Sequence, residues 1–198
     1  MDISTIVSLI IIAALIFYVI GIFNQLVALK NGYQNSFSHI EVQLKRRYDL
    51  IPNLVETAKA YLKHESETLE AVIAARNQAS NGLKAASAEP GSAAAIGQLA
   101  GAEALLGNAM GKLNIVMEAY PDLKANINMM QVSEELSNTE NKVAFSRQAF
   151  NDAVTSYNTY KQTFPPVFFA ASFGHSKDAS LLEFADSAEI QAAPTVRF

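Results

Sequence analysis

The sequence predicts an all-α protein: a single N-terminal transmembrane helix leading into an antiparallel up-and-down bundle of three to four long helices. Three observations predict it. Residues 3–29 run for 27 positions without an Asp, Glu, Lys, Arg or His. Downstream, apolar residues recur at steps of three and four, the period of helices buried on one face. The 198 residues include only six prolines and nine glycines, and these are clustered, which leaves long stretches free of breakers.

The apolar run is long enough to cross a bilayer, which takes about 20 residues at roughly 1.5 Å each. A lone strand in lipid would leave its backbone groups unpaired. Ser8 and Tyr18 carry the only side-chain hydroxyls within residues 6–23. A cleaved signal peptide would open with a basic segment, yet Asp2 is the one charged side chain before the run. Ile22-Phe23-Asn24 offers no small-x-small cleavage site either. An uncleaved signal anchor over residues 1–23 is therefore expected. The first cations beyond it are Lys30 and then Lys45, Arg46 and Arg47, which favours a cytoplasmic domain. Trp is absent, so Tyr18 or Tyr33 is left to serve as interfacial anchor.

Residues 24–164 read as the bundle. Leu26, Leu29, Tyr33, Phe37, Ile40, Leu44, Tyr48 and Ile51 form one stripe continuous with the span. Pro52 lacks a donor and clashes with the preceding turn, which predicts a kink or break within residues 50–53. The stripe resumes through Leu54, Ala58, Leu62, Leu69, Val72 and Ile73, and Asn81-Gly82 is its expected stop. A second break is expected at His64-Glu65-Ser66-Glu67, with Ser66 as cap. Residues 84–95, rich in Ala, Ser, Gly and Pro, read as a loop. The next helix carries Ile96, Leu99, Leu106, Met110, Leu113, Met117 and Tyr120 and stops before Pro121. Asp122 is expected at the start of the last helix, where a carboxylate suits the exposed amides. There Met129, Val132, Leu136, Thr139, Val143, Ser146, Phe150, Ala153, Tyr157, Tyr160 and Phe164 keep coiled-coil spacing until Pro165-Pro166. Residues 165–198 read as an irregular tail. Its aromatic part (Phe168, Phe169, Phe173 and Phe184) is expected to dock on the bundle and its end to be mobile.

Net charge is −4 and the isoelectric point about 5.4, which argues against nucleic-acid binding. Without cysteine there are no disulfides, thiolates or Cys-ligated metals. His64-Glu65 begins like a zinc-protease motif, but Thr68 stands where the second His is needed. The residues three before His39, His64 and His175 are Ser36, Tyr61 and Ser172, so no di-iron Glu-x-x-His pair exists. No catalytic, metal or cofactor-binding residue, and no cofactor, is expected.

Three groups are candidates for interaction. Lys45, Arg46 and Arg47 lie on the order of 30 Å beyond the bilayer along the helix, outside a Debye length of about 8 Å. They read either as a partner site or as a solvated face paired with acids such as Asp49 or Glu41. Asn53, Asn126, Asn138, Asn141 and Asn151 are poor helix formers, and read either as a polar ligand site or as interhelical hydrogen bonds that fix register. Gly97, Gly101, Ala104, Asn108 and Gly111 form a narrow seam almost opposite the apolar stripe of their helix. That seam reads as a self-association face that lets backbones approach, or as an exposed face that tolerates glycine.

Several motifs occur in an order that resembles the LemA family. They are Gln43-Leu-Lys-Arg-Arg-Tyr-Asp-Leu-Ile-Pro-Asn-Leu-Val-Glu56, the stretch from Tyr61 to Glu70, and Ala119-Tyr-Pro-Asp-Leu-Lys-Ala-Asn126. Glu134-Glu-Leu136 with Thr139-Glu-Asn141, Tyr157-Asn158, Phe164-Pro165 and Phe173-Gly174 complete the set. The resemblance runs from the membrane helix to about Phe184. It implies a single membrane helix followed by an antiparallel bundle, and little about chemistry, since no enzymatic activity is generally established for the family. Tyr48 departs from it, standing where such proteins commonly carry His, and residues 97–111 fall in a variable region. The expected function is a membrane-anchored scaffold or interaction protein that self-associates and binds other proteins, without catalysis. The alternatives are a ligand-sensing or enzymatic bundle with an Asn/Glu site, and a membrane-shaping assembly.

The charge asymmetry around the span yields a topology prediction. Protease added to spheroplasts should leave the bundle intact and digest it only after lysis; digestion before lysis would reverse the orientation.

Overall fold

The computed structural model describes residues 2–184. Among these, all regular structure is helical: α1 (Ile3–Lys59), α2 (Ser66–Ala88), α3 (Ala93–Glu118), α4 (Pro121–Lys124), α5 (Ile127–Gln162) and α6 (Val167–Ala170). Four of the six are long, and they run up and down. α1 packs on α5 and α2, and α2 packs on α3.

The 57 residues of α1 make one helix about 85 Å long at 1.5 Å per residue. Its first nineteen residues, 3–21, stand clear of the bundle, with Val19 alone half-buried. An apolar stretch whose side chains meet no protein needs another apolar surrounding, and lipid supplies it. From Ile22 onward one face is buried, through Leu26, Tyr33, Phe37, Ile40, Leu44, Tyr48 and Ile51.

Of the kink or break expected at Pro52, the break is absent; helix α1 continues to Lys59. Proline at 52 removes the amide that would have bonded the Tyr48 carbonyl four residues back. That carbonyl is instead taken by Arg76 of α2, whose Nε donates to it at 2.9 Å. The turn comes at residues 60–65, close to the second expected break, although Glu65 rather than Ser66 occupies the cap position.

Helix α2 also runs past its expected stop at Gly82, and the expected loop over residues 84–95 shrinks to 89–92. Alanine is the best helix former, so an Ala-rich stretch extends the helix until Pro90-Gly91 ends it. Gly82 is helical and buried, and it serves contact rather than termination. A Cβ there would stand 3.2 Å from the Leu99 Cα, so the backbones of α2 and α3 meet at this point. Ala75, Ala79 and Ala86, at helical spacing from Gly82, are buried as well.

Asp122 falls in the first turn of α4, so it does not open α5. The α5 cap is Asn126, whose side-chain oxygen accepts from the amides of Asn128 (2.9 Å) and Met129 (3.2 Å). Its Nδ2 also donates to the Tyr61 hydroxyl at 3.0 Å, tying this end of α5 to the α1–α2 turn. The seam of α5 follows the expected register, with Met129, Leu136, Thr139, Val143, Phe150 and Tyr157 buried. Tyr33 sits between Phe150, which it meets edge-to-face at 6.3 Å, and Tyr157, tilted against it at 5.2 Å. Phe164, expected to close that seam, lies beyond the end of α5 and is 79% exposed.

After α6 the chain turns at Gly174, whose φ of +82° favours glycine, and residues 175–184 run back along α5 as an extended strap. Asn158 grips the strap through both backbone groups of Ala179, at 2.9 Å each. Asn151 does the same to Leu182, donating to its carbonyl at 3.1 Å and accepting from its amide at 2.9 Å. Lys161 pairs with Asp178, and Arg147 lies over the Phe184 ring at 4.7 Å. His175 Nδ1 and the Tyr157 hydroxyl share a 2.9 Å hydrogen bond. Burial pushes the Tyr157 phenol up to about 12, helped by nearby Tyr33 and Asp178. Burial, with Lys30 and Lys161 nearby, lowers the His175 pKa. The tail thus docks in part: Phe184 and Phe173 pack on the bundle, while Phe168 is 70% exposed. The end expected to be mobile, residues 185–198, lies outside the described residues.

Two glycines separate contact from tolerance. At Gly107 nothing lies within 4 Å of where a Cβ would stand, so Gly107→Ala should stabilise the protein by up to about 1 kcal/mol through helix propensity. Gly82→Val should instead destabilise it by about 1–3 kcal/mol through overpacking against Leu99. Thermal melts in mild detergent, followed by circular dichroism, check both signs.

Candidate interaction site

Arg47 and Tyr48, neighbours on α1, sit where all four long helices meet. The Arg47 guanidinium donates to Glu103 of α3 at 2.9 Å and to Glu140 of α5 at 3.1 Å. The Tyr48 hydroxyl donates to the other oxygen of Glu103, and its carbonyl receives Arg76 of α2. The Glu103 side chain is 2% exposed and that of Arg47 12%. A carboxylate so far from water is costly unless charge and hydrogen bonds answer both oxygens, and here they do. Burial, then the charge of Glu103 and the hydrogen bond to it, raise the Tyr48 pKa far above its ordinary value. The phenol therefore stays protonated and acts as a fixed donor.

Above this cluster a groove of about 320 Å³ opens between α3 and α5, lined by Arg47, Glu103, Ala104, Glu140, Arg147 and Phe184 among others. Its walls alternate in charge.

The three side chains of the basic triad go to different partners. Lys45 pairs with Glu41 at 2.5 Å on the surface, and Arg46 reaches Glu135 of α5 at 3.6 Å. Arg47 turns inward to the cluster. Lys45 holds the Glu41 carboxyl below its usual pKa. On α3, Gly97, Gly101 and Gly111 are exposed, with nothing within 4 Å of where a Cβ would stand. Ala104 is half-buried at the rim of the groove beside Asn108, so the seam borders the charge cluster. The asparagines do not converge. Asn126 caps one end of α5, and Asn151 holds the strap 25 residues further along it.

Sequence reasoning missed Glu103, Glu140, Arg147 and Arg76. The signal for two of them was present. Glu103 falls four residues after Leu99 and three before Leu106, and Arg147 four after Val143 and three before Phe150. A charge at a core-spaced position of an amphipathic helix needs a buried partner.

The LemA family model matches residues 36–198. The chain is 28% identical over 148 residues to Protein LemA of Metamycoplasma hominis, covering 75% of this chain and 63% of that protein. It is 27% identical over 168 residues to Magnetosome protein MamQ 2 of Paramagnetospirillum magneticum, covering 77% and 62%. Magnetosome protein MamQ of Magnetospirillum gryphiswaldense is 25% identical over 170 residues, covering 78% and 62%. The chain therefore spans less than two thirds of the length of these relatives.

Breaking the cluster on one side should be expensive. Arg47→Met takes the guanidinium away from buried Glu103 and from Glu140 and should destabilise the protein by about 3 kcal/mol, while adding Glu103→Leu should recover part of the loss. Guanidinium unfolding in detergent measures both; equal losses for the single and double variants would show that the pair does not carry the effect.

Proposed function

The chain belongs to the LemA family, and on that premise we propose that it is a membrane-tethered scaffold that binds copies of itself and other proteins through helix faces, without catalysis of its own. It is a membrane-associated helical protein whose anchor is also the central member of its bundle. The observation that carries the reading is the contrast between the two faces of α3. The inner face is fully engaged, with Leu99, Leu106 and Leu113 in the core and Glu103 in the charge cluster. On the outer face Gly97, Gly101 and Gly111 leave open space along a narrow strip. A helix backbone bared in this way suits close approach by a second helix. The acids and bases of the groove hold helices together, which supports a structural use of that chemistry. Lys30 and the cations of residues 45–47 favour a bundle on the cytoplasmic side.

Gly101→Leu fills the strip and touches no core contact. It should shift the detergent-extracted protein toward smaller species in multi-angle light scattering while the helical melt stays unchanged. A mass distribution identical to that of an assembling parent would rule out the α3 face.

A further inference from the structure

We propose that the turn between α5 and α6 is a second membrane contact: an aromatic wedge seated in the lipid interface beside the point where α1 emerges. Phe164 is 79% exposed, Phe168 70% and Val167 48%, and the first two rings meet edge-to-face at 5.8 Å. Solvent-exposed apolar patches of this kind mark an interaction surface. Their height in the molecule identifies the partner. Tyr33 of α1 lies against Tyr157 of the antiparallel α5, so five residues further, at Gln162, the partner level on α1 is Ala28. The turn continues downward from there. Phe173 packs against Phe23 at 5.3 Å and stacks on Phe169 at 6.1 Å, so these rings reach the level where the bundle ends and the bare span begins.

Charge follows the same boundary. Residues 162–174 contain no Asp, Glu, Lys, Arg or His, matching residues 3–29 of the anchor. Lys30 and Lys177 flank the two uncharged stretches on the bundle side, while Lys161, beside the second, is buried and paired with Asp178. Cations above an aromatic-rich, uncharged layer are the usual order at a membrane surface. The occupant of this patch is thus the bilayer that already holds α1, with the rings at the boundary between headgroups and acyl chains. Tyr33, one of the two expected interfacial anchors, is buried in the bundle, and the wedge supplies the aromatic contact in its place.

The inference rests on α1 spanning the membrane, and the test separates the two. The chain has no Trp, so single substitutions report without background. Full-length Ile11→Trp, Phe164→Trp, Phe168→Trp and Phe145→Trp variants are reconstituted in vesicles containing lipids brominated near the top of the acyl chains or near their ends. Phe145, 76% exposed on α5 well above the turn, is the aqueous control. Phe164→Trp and Phe168→Trp should emit at shorter wavelength than Phe145→Trp and lose most of their emission to the shallow bromines. Ile11→Trp should be quenched more by the deep ones. Emission from both turn variants that matches the Phe145→Trp control overturns the wedge while leaving the anchor intact. Short-wavelength emission that bromine leaves undimmed assigns the patch to a protein contact and overturns it equally. An unquenched Ile11→Trp overturns the span and the wedge together.

Discussion

One desolvated carboxylate constrains the bundle. Glu103 lies inside it, and an unanswered charge there would cost more than a typical core contact provides. Both oxygens are met from successive residues of α1, one by a guanidinium and the other by a phenol. The same two residues hold Glu140 of α5 and Arg76 of α2, so the axial positions of three helices are set against a single point on the first. Apolar seams tolerate sliding by a turn, because leucine meets leucine again; a charge cluster has one register. Its contribution is specificity more than net stability, since buried ion pairs often do little better than apolar replacements.

Pro52 belongs to the same arrangement. A proline in mid-helix usually signals disruption, yet here it frees the carbonyl that Arg76 needs. The helix stays continuous, and continuity matters for an anchored protein. A bundle whose central helix continues into a bare apolar stretch would hold a defined distance from a bilayer that takes up that stretch. A single helix leaves it free to swivel about that axis, and a lipid contact at the α5–α6 turn would restrict the swivel.

The architecture is legible from period alone. The stripes of α1, α3 and α5 stand in the register their spacing predicts, because about half of the residues are apolar and their spacing rarely slips. Composition misleads where it stands in for geometry. Gly82 reads as a terminator, although the structure uses its missing side chain to bring α2 against α3. The Ala-rich stretch after it reads as loop, though alanine favours helix. Among the candidate site residues, Arg47 has a different use from Lys45 and Arg46, which a run of adjacent cations conceals. Partners of a buried charge lie tens of residues away, and no local pattern names them.

The strap on α5 is a meeting of two rulers. Asn151 and Asn158 are seven residues apart on a helix, a rise of about 10.5 Å. The residues they grip, Leu182 and Ala179, are three apart on an extended chain, about 10 Å. The graduations coincide at both marks, as on a vernier, and each grip touches only backbone. The strap's side chains add contacts of their own, Leu182 in the core, Asp178 to Lys161 and Phe184 under Arg147, but it is insertion or loss of one residue between the marks that would throw the scales out of step, by about 3.3 Å. A segment held in this way resists the insertions and deletions that a surface loop ordinarily tolerates.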